Sequence, residues 1–103
     1  MAGPRRRVIW TAEARSALDE AVFYIDEQSS QGALSVVEQA LEAAASLATM
    51  SERGRVVPEQ DDPAIREVFV GQYRLLYEVT RSEVIVLTFL HGARDFAKWR
   101  GEH

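Results

Sequence analysis

Apolar and polar positions along this chain follow first a helical period and then a strand period. Val8, Ile9 and Trp10 favour extended structure, so residues 6–10 are expected to form a strand. Thr11 offers a hydroxyl for an N-cap, and Glu13 sits in the first turn, where the helix dipole favours a carboxylate. Ala14, Leu18, Ala21, Val22 and Ile25 then fall on one face of an α-helix. Ser29, Ser30, Gln31 and Gly32 break the pattern as a short loop. Ala33, Val37, Ala40, Leu41, Ala44 and Leu47 resume it as a second helix, whose small alanines allow close approach. Two helices joined by so short a loop are expected to form an antiparallel hairpin.

From Thr49 to Pro63 a glycine, two prolines and mixed charges mark a long connection, extended around Arg55–Pro58. Three strand candidates follow: Ile65–Val70, Tyr73–Thr80 and Glu83–Leu90. Gly71-Gln72 between the first two has the chemistry of a type II′ hairpin turn, and Arg81-Ser82 is a weaker turn signal. That turn sets the register: Val70 opposite Tyr73, Phe69 opposite Arg74, Val68 opposite Leu75 and Arg66 opposite Tyr77. Val68, Val70, Tyr73, Leu75, Tyr77 and Val79 then share one apolar face, expected to lie under the helices. Ile65, Glu67, Phe69, Arg74, Leu76 and Glu78 share the other, and its three charges predict a face open to solvent. The order β-α-α-β-β-β implies an α+β fold, a two-helix hairpin on one face of a small, mainly antiparallel sheet.

The 103 residues fit one domain, 1–103, able to bury roughly two-thirds of its unfolded surface. With 47% hydrophobic and 27% charged residues the composition is that of a folded protein, not a disordered tail. There is no cysteine, which excludes disulfide frameworks and common zinc sites and fits a reducing compartment. No apolar run suits a membrane span, and the N-terminus lacks a signal-peptide core.

The formal net charge of −4 is unevenly spread. Residues 13–47 carry seven acids against Arg15, a net of −6, whereas 53–100 carry eight bases against seven acids, a net of +1. The acidic stretch suits the solvated side of amphipathic helices. Arg5, Arg6 and Arg7 read as a frayed basic terminus more readily than as a nucleic-acid contact.

No phosphate loop, nucleophile elbow or metal-ligand spacing is present, and neither a metal nor a cofactor is expected. The one cluster with chemical character is His91-Gly92-Ala93-Arg94-Asp95, just past the last strand. An imidazole can exchange protons near neutral pH, and a guanidinium can hold a phosphate or a carboxylate. Taken alone, these five residues favour packing and ion pairing over catalysis.

Several strings together carry a resemblance. Ile65-Arg66-Glu67, Val70-Gly71-Gln72-Tyr73-Arg74-Leu75-Leu76-Tyr77 and Leu90-His91-Gly92-Ala93-Arg94 resemble the RelE/ParE toxin superfamily. Trp10-Thr11-Ala12-Glu13-Ala14 before the acidic hairpin, and Gly54-Arg55-Val56-Val57-Pro58-Glu59, are similar to it as well. The resemblance spans nearly the whole chain in the family's order. It implies the toxin half of a type II toxin–antitoxin module, of the kind linked to plasmid stabilisation, cytoplasmic and neutralised by a cognate antitoxin. Such antitoxins wrap the toxin with a largely helical segment and place acidic groups on its arginines. Arg66, Arg74, Tyr77 and Arg94 are the partner-binding candidates, with ion pairs to Glu67, Glu78 and Asp95 as the alternative role of the arginines.

Within the superfamily, RelE-like members cut mRNA on the ribosome through attack by the 2′-OH. That chemistry needs proton transfer and cations around a pentacovalent phosphate. Arg74 and Arg94 match two family arginines, and His91 is a candidate acid. Glu67 and Phe69, however, stand where lysines are expected, and only Trp99 or Arg100 occupies the C-terminal region that would hold a tyrosine. The overall acidity also suits work inside a ribosome poorly. The resemblance therefore favours the ParE-like branch, which poisons DNA gyrase by binding rather than by catalysis. The alternatives are a ribosome-dependent endoribonuclease and a non-toxic, antitoxin-binding relic.

Overall fold

Thr11 and Ser29 set where the two helices begin. In the computed structural model, which describes residues 5–92, strand β1 (Arg7–Trp10) leads directly into helix α1 (Ala12–Asp26). The Thr11 hydroxyl accepts from the Ala14 N–H at 3.0 Å, as expected of an N-cap. Helix α2 (Ser30–Ser46) starts earlier than the sequence suggests, because Ser29 caps it by accepting from the Gly32 N–H at 2.9 Å. Ser30, Gln31 and Gly32 thus belong to the first turn, and the loop shrinks to a few residues.

Beyond α2 come β2 (Arg55–Val56), β3 (Ile65–Val70), β4 (Tyr73–Val79) and β5 (Glu83–His91). They join β1 in one five-stranded sheet of order β1-β5-β4-β3-β2. Pairing is antiparallel except between β1 and β5, which run parallel, so the sheet is mixed. The parallel pair arises because the intervening hairpin and strands carry the chain back to the same end of the sheet.

The β3–β4 register is the expected one, from Val70 opposite Tyr73 to Arg66 opposite Tyr77. Gly71 has φ +59°, and no other described residue except Gly92 has positive φ. A positive φ at the first turn position alone is the signature of type II′. Between β4 and β5 the register shifts: Leu76 faces Thr88 but Tyr77 faces Val86, leaving Leu87 as an extra residue. This bulge turns Val84 and Val86 on one side of it, and Phe89 on the other, towards the helices.

The main core lies between helices and sheet, built on Ala14, Leu18, Ala21, Ala40, Ala44 and Leu47 against Val68, Val70, Leu75, Tyr77, Val84, Val86 and Phe89. Leu41, expected to face this core, is 50% exposed. The opposite sheet face departs further from expectation. Val57, Leu76 and Leu90 make a second small core there, flanked by Ile65 and Leu87, and the segment after β2 covers it. Arg6 and Arg7 are also more fixed than a frayed terminus. Arg6 donates to Thr80 O at 2.8 Å and to Ser51 Oγ at 2.9 Å, and Arg7 pairs with Glu83 at 2.8 Å.

Candidate functional site

Alternation along β3 turns Glu67 away from the helices, onto the face where Arg74 of β4 also lies. The Glu67 carboxylate is completely buried, and each of its oxygens meets a different arginine. Arg74 Nε donates to Oε1, and Arg55 Nε, directly across the β2–β3 pair, donates to Oε2 at 2.6 Å. Arg74 then reaches Glu59 with both terminal nitrogens, at 3.1 and 3.4 Å. The four side chains form a charge-balanced chain of ion pairs that fastens the segment after β2 across the sheet. A buried carboxylate is costly to desolvate, and two charge-assisted hydrogen bonds offset that cost.

The electrostatics follow from this wiring. The hydrogen bond from Arg74 holds the Glu59 carboxyl below its ordinary value, against a smaller opposing effect of burial. Burial acts to lower the Arg74 value, but hydrogen bonds to Glu67 and Glu59 outweigh it and hold the guanidinium above its usual range. At the rim, Arg55 lies over the ring of Phe69, 5.2 Å from its centroid, and Phe69 is 57% exposed.

Arg74 was expected on an exposed face; it is on the expected face but buried. Two charged neighbours and the strap ending at Glu59 close over it. Arg66 and Tyr77 pair across the sheet on the helix-side face. Arg66 Nη1 donates to Gly54 O at 2.8 Å, and buried Tyr77 donates to Ser51 O at 2.9 Å while accepting from the Gly54 N–H at 3.0 Å. Burial pushes the Tyr77 phenol above its ordinary value, a shift the Gly54 hydrogen bond only moderates. His91 pairs with Tyr73, and so faces the side opposite to Arg74. Its ring meets that of Tyr73 edge-on at 5.1 Å, and its Nε2 lies 3.2 Å from Gln72 Oε1. The sheet therefore separates His91 from Arg74. Arg94, Trp99 and Arg100 lie outside the described residues.

The sequence reading missed Glu59 and Arg55 as parts of one cluster with Glu67 and Arg74. A signal was available: Glu67 and Arg74 are diagonal neighbours on one face of a hairpin whose register could be read. Nothing local showed that Glu59 would fold back across them. Among the described residues, no group of His, Cys, Asp or Glu is placed to hold a metal ion. No described helix is long and apolar enough to cross a membrane.

A helical hairpin on one side of a five-stranded mixed sheet, with a neutralised charge cluster on the other, defines the structural class. The chain belongs to the ParE toxin family of the type II toxin–antitoxin system parDE, whose family model matches residues 8–96. Among solved structures, it is similar to the chromosomal ParDE toxin–antitoxin system of P. aeruginosa, with a TM-score of 0.68 at 20% identity. That match covers 84% of this chain and 96% of the other. It is also similar to the RelBE2 toxin–antitoxin complex of Mycobacterium tuberculosis, with a TM-score of 0.56 at 22% identity, covering 90% of this chain and 99% of the other. At such identities the likeness is one of fold. No curated protein sequence matches the chain.

Proposed function

We propose that this toxin arrests growth by binding and poisoning DNA gyrase in the cytoplasm, and that a cognate antitoxin neutralises it. Membership of the ParE family supports this reading. The observation that carries it beyond the family is the state of Arg74. Phosphoryl transfer on RNA needs cations presented to a phosphate. Here the guanidinium is buried and its hydrogen-bonding edges are taken by Glu67 and Glu59. His91, the other described candidate for nuclease chemistry, sits on the far side of the sheet. Binding to a protein target requires neither group to be free.

The test is a supercoiling assay with purified gyrase, run beside primer-extension mapping of cellular mRNA after induction of the toxin without antitoxin. Gyrase inhibition with intact transcripts is the expected result. Codon-aligned mRNA cuts with unaffected gyrase would overturn the reading in favour of a RelE-like endoribonuclease. Normal growth on induction would point to a non-toxic relic.

A further inference from the structure

Of the arginines expected to receive an antitoxin's acidic groups, Arg66 and Arg74 are engaged inside the fold, whereas α2 carries an apolar side that no described residue covers. Leu34, Val37, Leu41 and Ala45 recur at three- and four-residue spacings and so line one side of that helix. Leu34 is 59% exposed and Leu41 50%, although each is a large apolar side chain; Val37 is half-buried and Ala45 exposed. Glu38 and Glu42, both exposed, flank the row. At its C-terminal end the row runs into a shallow open depression lined by Ala45, Ala48, Val8 and Arg5–Arg7. Hydrogen bonds hold Arg6 and Arg7 in place at its wall.

The geometry points to this side of α2 as the seat of an amphipathic helix from the antitoxin, about three turns long, with basic residues along one flank. The length follows from the row, since Leu34 to Ala45 spans about 16 Å of helix. The sign of the flank follows from Glu38 and Glu42 and from the net −6 of residues 13–47. The Arg5–Arg7 depression suits an acidic group at the partner helix's far end. A second copy of this chain fits less well. Antiparallel two-fold pairing of the same side sets each flank against its own copy, bringing Glu38 and Glu42 up against Glu42 and Glu38. The inference rests on the toxin–antitoxin reading above but differs from the expected acid-to-arginine recognition, because it makes apolar anchors and basic contacts the source of affinity.

The test uses the purified product of the reading frame adjoining this gene as the probe, titrated by calorimetry into the full chain and into two double variants. L34A/L41A changes only exposed positions, and circular dichroism checks that its fold is intact. It is expected to bind about 30-fold more weakly, as loss of two apolar anchors implies. E38K/E42K is expected to bind about 10-fold more weakly at low salt and to lose affinity less steeply as salt rises. Wild-type affinity in L34A/L41A would overturn the site alone, and affinity at or above wild type in E38K/E42K would overturn the basic-flanked occupant. Failure of the probe to bind the unaltered chain would instead overturn the toxin–antitoxin reading, and this inference with it. A free chain that dimerises, and ceases to do so in L34A/L41A, would assign the surface to a second copy.

Discussion

Arg74 Nε donates to Oε1 of Glu67, and both side chains are buried on the sheet face that the helices leave bare. The two residues come from neighbouring strands of one hairpin, two positions apart in register, so the turn at Gly71 fixes their encounter. Each is extended by a second partner, Arg55 for Glu67 and Glu59 for Arg74. The pair therefore anchors the two ends of the segment whose Val57 packs on Leu76 and Leu90.

Removing one member of this pair should cost far more than removing both. Glu67→Ala leaves the Arg74 cation buried without its principal partner, and about 3–5 kcal/mol of stability is the expected loss. The double variant Glu67→Leu/Arg74→Met replaces both charges with apolar groups of similar size and should recover most of that loss. Urea denaturation of the single and double variants measures it. Equal destabilisation by both would show that the packing of the strap, rather than the charges, holds this face.

Gly54 has no room for a side chain. A Cβ there would lie 2.5 Å from Glu67 O and 2.5 Å from the Tyr77 hydroxyl, one of them backbone that cannot swing away. Gly54→Ala should destabilise by about 1–3 kcal/mol through overpacking. Tyr77→Phe relieves one clash but leaves the buried Gly54 N–H without its acceptor, at a cost of about 1–3 kcal/mol. Thermal denaturation should therefore show Gly54→Ala/Tyr77→Phe no more stable than Gly54→Ala alone.

The hairpin register could be read from sequence because Gly71-Gln72 permits few turn geometries and strand alternation then fixes every partner. The helices were legible through their period and through Thr11 as a cap. Other features depended on contacts distant in sequence. The bulge at Leu87 has no glycine or turn residue to announce it, since it is set by how Phe89 and Val86 pack against the helices. The burial of Arg74 depended on Glu59, fifteen positions away, and three charges on one face correctly suggest solvent unless they neutralise one another. Leu41 satisfied the helical period yet lies at the margin of the buried side, where periodicity alone separates core from surface poorly.

The two helix caps should differ in strength. Ser29 makes only the cap bond among those described for its side chain, and Ser29→Ala should cost about 1 kcal/mol. Thr11 makes the equivalent bond and also donates to the Leu87 carbonyl at 3.2 Å, tying the start of α1 to the bulge of β5. Thr11→Ala should cost more than Ser29→Ala, by about 1 kcal/mol. Thr11→Ser keeps both hydroxyl roles and should fall close to wild type. Chemical denaturation of the three variants ranks them, and parity between Thr11→Ala and Ser29→Ala would exclude a contribution from the Leu87 bond.

The strap should loosen in acid. Arg74 holds the Glu59 carboxyl in the folded chain below its ordinary value of 4.5. A depressed carboxyl contributes stability that is fully present well above the unfolded pKa and is lost as pH falls through the folded one. The Glu59 contribution should therefore hold at neutral pH, begin to fade as pH drops towards 4.5, and vanish below the folded value. Glu59→Gln removes the titrating group and should flatten that part of the stability profile, at the cost of lower stability at pH 7. Hydrogen exchange at the Val57 and Gln60 amides, which bond to Ile65 O and Val57 O, reports the strap directly. With correction for intrinsic exchange, their protection should decline on acidification in the wild type more than in Glu59→Gln. An identical decline in both proteins would remove Glu59 as the acid-sensitive fastening.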